Sequence, residues 1–145
     1  MNPFKAIAKG VGEFLSPPAQ AGPQGPLAVK NLTRGTMLAT RLEAARTGAK
    51  RRKGLLGRDG LAAGEGLWIA PCESVHTFFM RFPIDLVYLD REKRIKKTRG
   101  AVGPWRLSAC LSAHSILELP AGTIRETESE RGDELEIVEA GGPAS

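Results

Sequence analysis

Past Leu55 the chain runs in short apolar bursts separated by glycine, proline and charge, the cadence of β-structure. Strands are predicted at Gly66–Ala70, Thr77–Arg81, Ile84–Asp90, Arg94–Thr98, Ser115–Leu119 and Glu134–Val138. In the last of these, Leu135 and Ile137 alternate with Glu134 and Glu136, the period of a half-exposed strand. Ile84–Leu89 is apolar at both parities and reads as a central strand covered on two faces. Upstream, Ala28–Leu32 and Thr36–Thr40 predict two more strands around the turn Thr33-Arg34-Gly35. Thr40-Arg-Leu-Glu43 has the spacing of a capping box, which predicts a helix from Arg41 with Leu42, Ala45 and Ala49 on one side and a stop at Gly54. Many short strands with one solid helix imply a mainly β fold, a compact β-sandwich or barrel with the helix near the N-terminal side of the domain.

The pattern changes before Leu27. Residues 1–15 place Phe4, Ile7, Ala8, Val11, Phe14 and Leu15 at helical intervals, with Lys5, Lys9 and Glu13 on the other side. They read as a short amphipathic helix or a disordered arm. Residues 16–26, rich in proline and glycine, read as a linker. Residues 27–140 then form a single mainly β domain, and residues 141–145 a disordered tail.

Composition narrows the class. At 145 residues the chain is long enough to bury a core without disulfides, and its two cysteines supply no framework. No apolar run reaches the length of a membrane-spanning helix, and Lys9 and Gly10 interrupt what would be a secretory h-region. A cytoplasmic location is expected, with residues 3–15 open to weak contact with an anionic membrane. The net charge of +5 is unevenly spread. Residues 27–60 hold nine Lys/Arg against Glu43 and Asp59, a balance of +7; residues 118–145 hold eight acids against Arg125 and Arg131, a balance of −6. Lys50-Arg-Arg-Lys53 falls in the last turn of the expected helix, where cations complement the helix dipole. Aromatic residues do not interleave the basic runs, which disfavours a nucleic-acid role.

Several motifs then occur in order: Arg52-Lys-Gly-Leu-Leu-Gly-Arg58, Gly66-Leu-Trp-Ile69, Ser74–Asp90, Pro104-Trp-Arg106 and Ile116–Thr123, followed by Gly132-Asp133. Over about residues 28–139 this series strongly resembles the domain of unknown function 192 family, also known as uncharacterised protein family 0127. The resemblance implies a mainly β sandwich of jelly-roll type with one helix, and no particular chemistry. Two departures stand out. Many relatives are exported or lipid-attached, whereas this N-terminus carries no export signal. The turn Asp90-Arg-Glu-Lys93 also has Lys where relatives often place Gly, a strained choice if that backbone is left-handed.

Two carboxylates stand inside apolar strands, where burial is costly without a partner or a purpose. Asp85 shares a strand parity with Val87 and Leu89, and Glu118 shares one with Ile116. Each is either a structural acid tied to backbone amides or to Arg81, Arg106 or His76, or a group lining a pocket. If both enter one cavity they form a candidate acid/base pair. Cys72 precedes His76 by four residues, and Cys110 precedes His114 by four. That spacing raises a Cys2His2 zinc site, yet residues four apart in a strand lie about 13 Å apart, too far to share one ion. No metal and no cofactor are expected, and no phosphate loop, dinucleotide fingerprint or nucleophile elbow is present. A Cys–His nucleophile using Cys72 or Cys110 is set against the commoner buried, inert thiol. Phe78, Phe79, Met80 and Phe82 read as core or as a pocket wall. Trp105 beside Arg106, in a loop announced by Pro104, reads as a ligand platform or a cap on the domain's end.

The reading that follows is a non-catalytic binding module for a small polar ligand or short polymer, in a cleft near Asp85, Glu118, His76, Trp105, Arg106 and Met80. The alternatives are a hydrolase-like enzyme using Asp85, Glu118 or His76, and a basic adaptor at an anionic membrane or nucleic acid.

Overall fold

The structure, a computed structural model, describes residues 26–140. The expected N-terminal helix, nearly all of the linker and the C-terminal tail lie outside the described residues. Strand β1 (Leu27–Asn31) turns at Thr33-Arg34-Gly35 into β2 (Thr36–Ala45), with Gly35 in the left-handed region at φ 71°. Helix α1 (Gly48–Lys53) follows, then β3 (Glu65–Ile69), β4 (Ser74–His76), β5 (Ile84–Leu89) and β6 (Ile95–Val102). The chain continues through β7 (Leu107–Ala109), β8 (Ser115–Pro120), helix α2 (Thr123–Thr127) and β9 (Leu135–Glu139).

Seven strands form one mixed sheet in the order β6-β5-β8-β3-β2-β1-β9, parallel only between β2 and β3. The outermost strands approach each other: Arg94 and Glu134 form a bridge, and Ile95 N–H donates to the Asp133 carbonyl at 2.9 Å. One apolar cluster draws on Val29, Leu42, Val87, Ile95, Leu117 and Leu135, residues from both ends of the strand order. The sheet must curl round that cluster to bring them together. A second cluster, with Leu67, Ile69, Leu86, Tyr88 and Ile116, occupies the opposite face. Strands β4 and β7 make a separate two-stranded ribbon.

The architecture is mainly β, as expected, in the form of a curled half-barrel with two short helices among the described residues. The helix expected from Arg41 is displaced. Residues 41–45 instead pair in parallel with Glu65–Ile69, and the N–H groups of Thr40 and Arg41 both donate to the Gly64 carbonyl. Leu42 and Ala45 are buried by that pairing, which outweighs a local capping signal on a short helix. Thr47 supplies the N-cap instead, accepting from Lys50 N–H at 3.1 Å, and all four cations of α1 lie in its last turn. Gly66 is required by contact: a Cβ there would lie 2.8 Å from Leu119 Cδ2 and 3.0 Å from Leu42 Cδ1.

The strand expected at Thr77–Arg81 is a turn. Thr77 ends the ribbon by donating its hydroxyl to the Gly103 carbonyl at 2.7 Å and accepting from Arg106 N–H at 2.9 Å. Met80 N–H closes onto the Thr77 carbonyl, and Phe79 takes φ 67°. Among the described residues no helix is long and apolar enough to cross a membrane.

Candidate functional site

Pairing register decides where the two buried acids point. Glu118 stands opposite Leu67 on one side and Leu86 on the other, while Asp85 stands opposite Leu119. Directly paired residues share a face and neighbours along a strand alternate, so Asp85 and Glu118 face opposite sides of the sheet. The expectation of one cavity holding both acids is therefore corrected.

Asp85 points toward the curled interior, 1 % exposed, and its oxygens are spent. Oδ1 accepts from Ala101 N–H at 2.7 Å, and Oδ2 from Gly122 N–H at 3.1 Å and Ile124 N–H at 2.8 Å. The last two donors open α2, whose free amides favour an anion. The first is presented by a bulge: the β5–β6 register shifts between Ile84 and Leu86, and Ala101 sits at φ 50°. Asp85 thus pins β5, β6 and α2 together as a structural carboxylate.

Glu118 points into the second apolar face, 4 % exposed, at the floor of a pocket of ≈ 400 Å³. The pocket lies between the end of α1 with its following loop and the β4–β7 ribbon, and takes in Cys72, His76, Met80, Ser108 and Arg51 as well as Glu118. No described residue hydrogen-bonds or ion-pairs the Glu118 carboxyl. Burial pushes it up to about 7 from an ordinary 4.5, against a weaker downward pull from Arg58. Gly54 closes α1 directly above it: a Cβ there would lie 3.4 Å from Oε1, at φ 50°.

Of the residues singled out in the sequence, the structure brings Glu118, His76 and Met80 into this pocket, with Cys72 beside them. It does not bring in Asp85, Trp105 or Arg106. The Cys72 thiol is pushed up by burial and donates to the Ser74 carbonyl at 3.0 Å, so it rests protonated rather than as an activated nucleophile. Among the described residues no three His, Cys, Asp or Glu side chains gather as a metal would require. Cys110 and His114 lie outside the pocket lining; Cys110 Sγ lies 3.6 Å from Ser112 Oγ. Trp105 is 57 % exposed and stacks on Phe78 at 5.6 Å, with Phe79 edge-on at 4.7 Å. His76 joins this row through Phe78 at 5.0 Å, so an aromatic shelf runs from the pocket's edge across the surface. Arg106 is exposed beside it.

Arg51 was not legible as a site residue. In the sequence it is one of four consecutive cations; in the fold it alone of the four is buried, at 6 % exposure. Its Nη1 donates to the carbonyls of Arg46 and Ala70, and no carboxylate among the described residues pairs with it. Only the way α1 leans on the sheet distinguishes it from Arg52 and Lys53.

Comparison with known proteins gives a consistent frame. A family model described as "Uncharacterized ACR", DUF192, matches residues 29–137. A UPF0127 protein of Thermococcus sibiricus is 32 % identical over 112 residues, covering 73 % of this chain and 71 % of that one. Another, from Thermococcus gammatolerans, is 32 % identical over 109 residues, covering 71 % and 70 %. Among solved structures, a protein of unknown function from Novosphingobium aromaticivorans DSM 12444 superposes with TM-score 0.65 at 23 % identity, covering 77 % of this chain and 83 % of its own. A crystallised protein of Sinorhizobium meliloti 1021, provisionally described as a transcription regulator, gives TM-score 0.68 at 20 % identity, covering 79 % and 97 %. At those identities the two structures speak to the fold alone. With the family model spanning most of the chain, this protein belongs to the DUF192 family.

Proposed function

We propose that this protein is a binding module that takes a small polar ligand in the Glu118 pocket. One observation supports the reading above all: a carboxyl at 4 % exposure that no described residue pairs, at the floor of a cavity of ≈ 400 Å³. A ligand donating to this carboxyl would make a hydrogen bond to a charged group, worth about 1.5–3 kcal/mol. The cavity lies within the range of small-molecule pockets, roughly 300–1,000 Å³. Its lining sets apolar residues such as Leu55, Ile69 and Met80 beside polar ones such as Arg51, His76, Ser108 and Glu118, a mixture suited to a small polar ligand. Catalysis is less well supported, because the second acid is on the far face and the Cys72 thiol is held protonated.

The reading is tested by screening small polar compounds against the full chain by amide NMR, with Glu118→Leu in parallel. Shifts at Cys72, Ser108 and Glu118 that vanish in the variant are expected. A screen in which no compound class perturbs those residues would overturn it.

A further inference from the structure

The Glu118 pocket contains a second buried ionic group that its floor carboxyl does not satisfy. Arg51 is 6 % exposed, lines the same cavity and is not ion-paired with Glu118 or with any other described acid. A guanidinium carries five N–H donors, and among the described residues Arg51 uses those on Nη1 alone, toward two main-chain carbonyls. Cys72 lies within electrostatic reach of both groups, Glu118 raising its thiol and Arg51 lowering it. A nearly buried guanidinium and a nearly buried carboxyl thus line one cavity without pairing. Each has hydrogen-bonding capacity that no described residue takes up and that a ligand in the cavity can meet.

From this we infer that the ligand is a small zwitterion, an α-amino acid or close analogue, whose ammonium meets Glu118 and whose carboxylate meets Arg51. The inference rests on the pocket being a binding site and adds the chemical class. A simple anion would satisfy Arg51 but leave the Glu118 carboxyl without a donor. A simple cation would satisfy Glu118 but meets Arg52 and Lys53 in the same lining, and leaves Arg51 unmet. A molecule with both charges a few bonds apart meets both demands at once. The walls between them, Leu55, Ile69, Val75 and Met80, are apolar and suit an aliphatic side chain rather than a third charge.

The test is titration calorimetry with ligand-observed NMR on the full chain. The probes are glycine, β-alanine, L-alanine, L-leucine and L-methionine, set against L-leucine methyl ester and 4-methylpentanoate. At least one zwitterion is expected to bind about tenfold more tightly than either truncated analogue, since each truncation removes one charge-assisted contact. Glu118→Leu should then bring leucine level with 4-methylpentanoate, and Arg51→Met should bring it level with the ester. Because Arg51 also ties α1 to Arg46 and Ala70, Arg51→Gln, which keeps N–H donors for those carbonyls and loses the charge, serves with the same expected result if the methionine variant does not fold. Truncated analogues binding as well as the zwitterions would overturn the class while leaving the pocket reading intact. So would silence from the whole panel at millimolar concentration when other compounds still shift the Glu118 pocket. Silence from both panel and screen would overturn both.

Discussion

Replacing Asp85 with asparagine tests the division of labour between the two acids. The carboxylate gives one oxygen to Ala101 N–H and the other to the N–H groups of Gly122 and Ile124. Asparagine keeps one acceptor oxygen and puts an NH2 in place of the other. Turned the better way, it satisfies Gly122 and Ile124 and sets its NH2 against the Ala101 N–H. That exchanges a charge-assisted bond for two buried donors facing each other. A bond to a charged group contributes roughly 1.5–3 kcal/mol and a stranded buried donor costs about 1–3 kcal/mol, so a loss of about 3 kcal/mol is expected. Urea unfolding monitored by Trp fluorescence reads this directly, as a lower midpoint with an unchanged slope. Because Asp85 faces the curled interior, amide shifts at Cys72, Ser108 and Glu118 should hardly move. A loss below about 1 kcal/mol would refute the three-amide account, and large shifts confined to the Glu118 pocket would refute the opposite-face assignment.

Two further outcomes follow from the same geometry. The Glu118 carboxyl is raised in the folded state, so between about 4.5 and about 7 the native chain holds a proton that the unfolded chain has released. Stability from this group is fully present at low pH, falls as pH rises through that window and levels off above it. At about 1.4 kcal/mol per unit the effect is on the order of 2–3 kcal/mol, and wild type should lose that much relative to Glu118→Gln between pH 5 and pH 8 in chemical unfolding; parallel curves would contradict it. At Lys93, φ is 69°, and its ammonium sits 5.4 Å from the Trp68 ring. Lys93→Gly relieves about 1 kcal/mol of left-handed strain and forfeits about 0.5 kcal/mol of cation–ring attraction, so a net gain of about 0.5 kcal/mol in unfolding free energy is expected. A net loss would mean that the ring contact outweighs the strain.

The sequence announced the strands that bury both faces because their hydrophobicity is continuous, and Ile84–Leu89 is the clearest case. It also placed Asp85 and Glu118 on definite parities with their neighbours. It could not relate the two parities, because that depends on the β5–β8 register, which pairs Leu86 with Glu118 and is fixed by long-range packing. The helix from Arg41 failed for a similar reason: Thr40-Arg-Leu-Glu43 carries a real capping pattern, overridden by pairing with a strand more than twenty residues away. The ribbon strand Leu107–Ala109 gave little signal, since Leu107 is exposed and only Ser108 is buried. Arg51 gave none, for burial of one cation in a run of four is set by helix orientation. The Asp90–Lys93 turn was legible, and Lys93 takes the left-handed backbone on which the expected strain depends, at φ 69°.

The central claim is that Glu118 holds a nearly buried carboxyl, without a partner among the described residues, in the lining of a pocket. Its most direct test is a carbon-detected NMR titration of the Glu118 side-chain carboxyl in the full chain, assigned by comparison with Glu118→Gln. The account predicts a midpoint of about 7. A midpoint in the ordinary glutamate range would contradict it, showing a carboxyl already solvated or paired and a pocket with nothing left to offer a ligand.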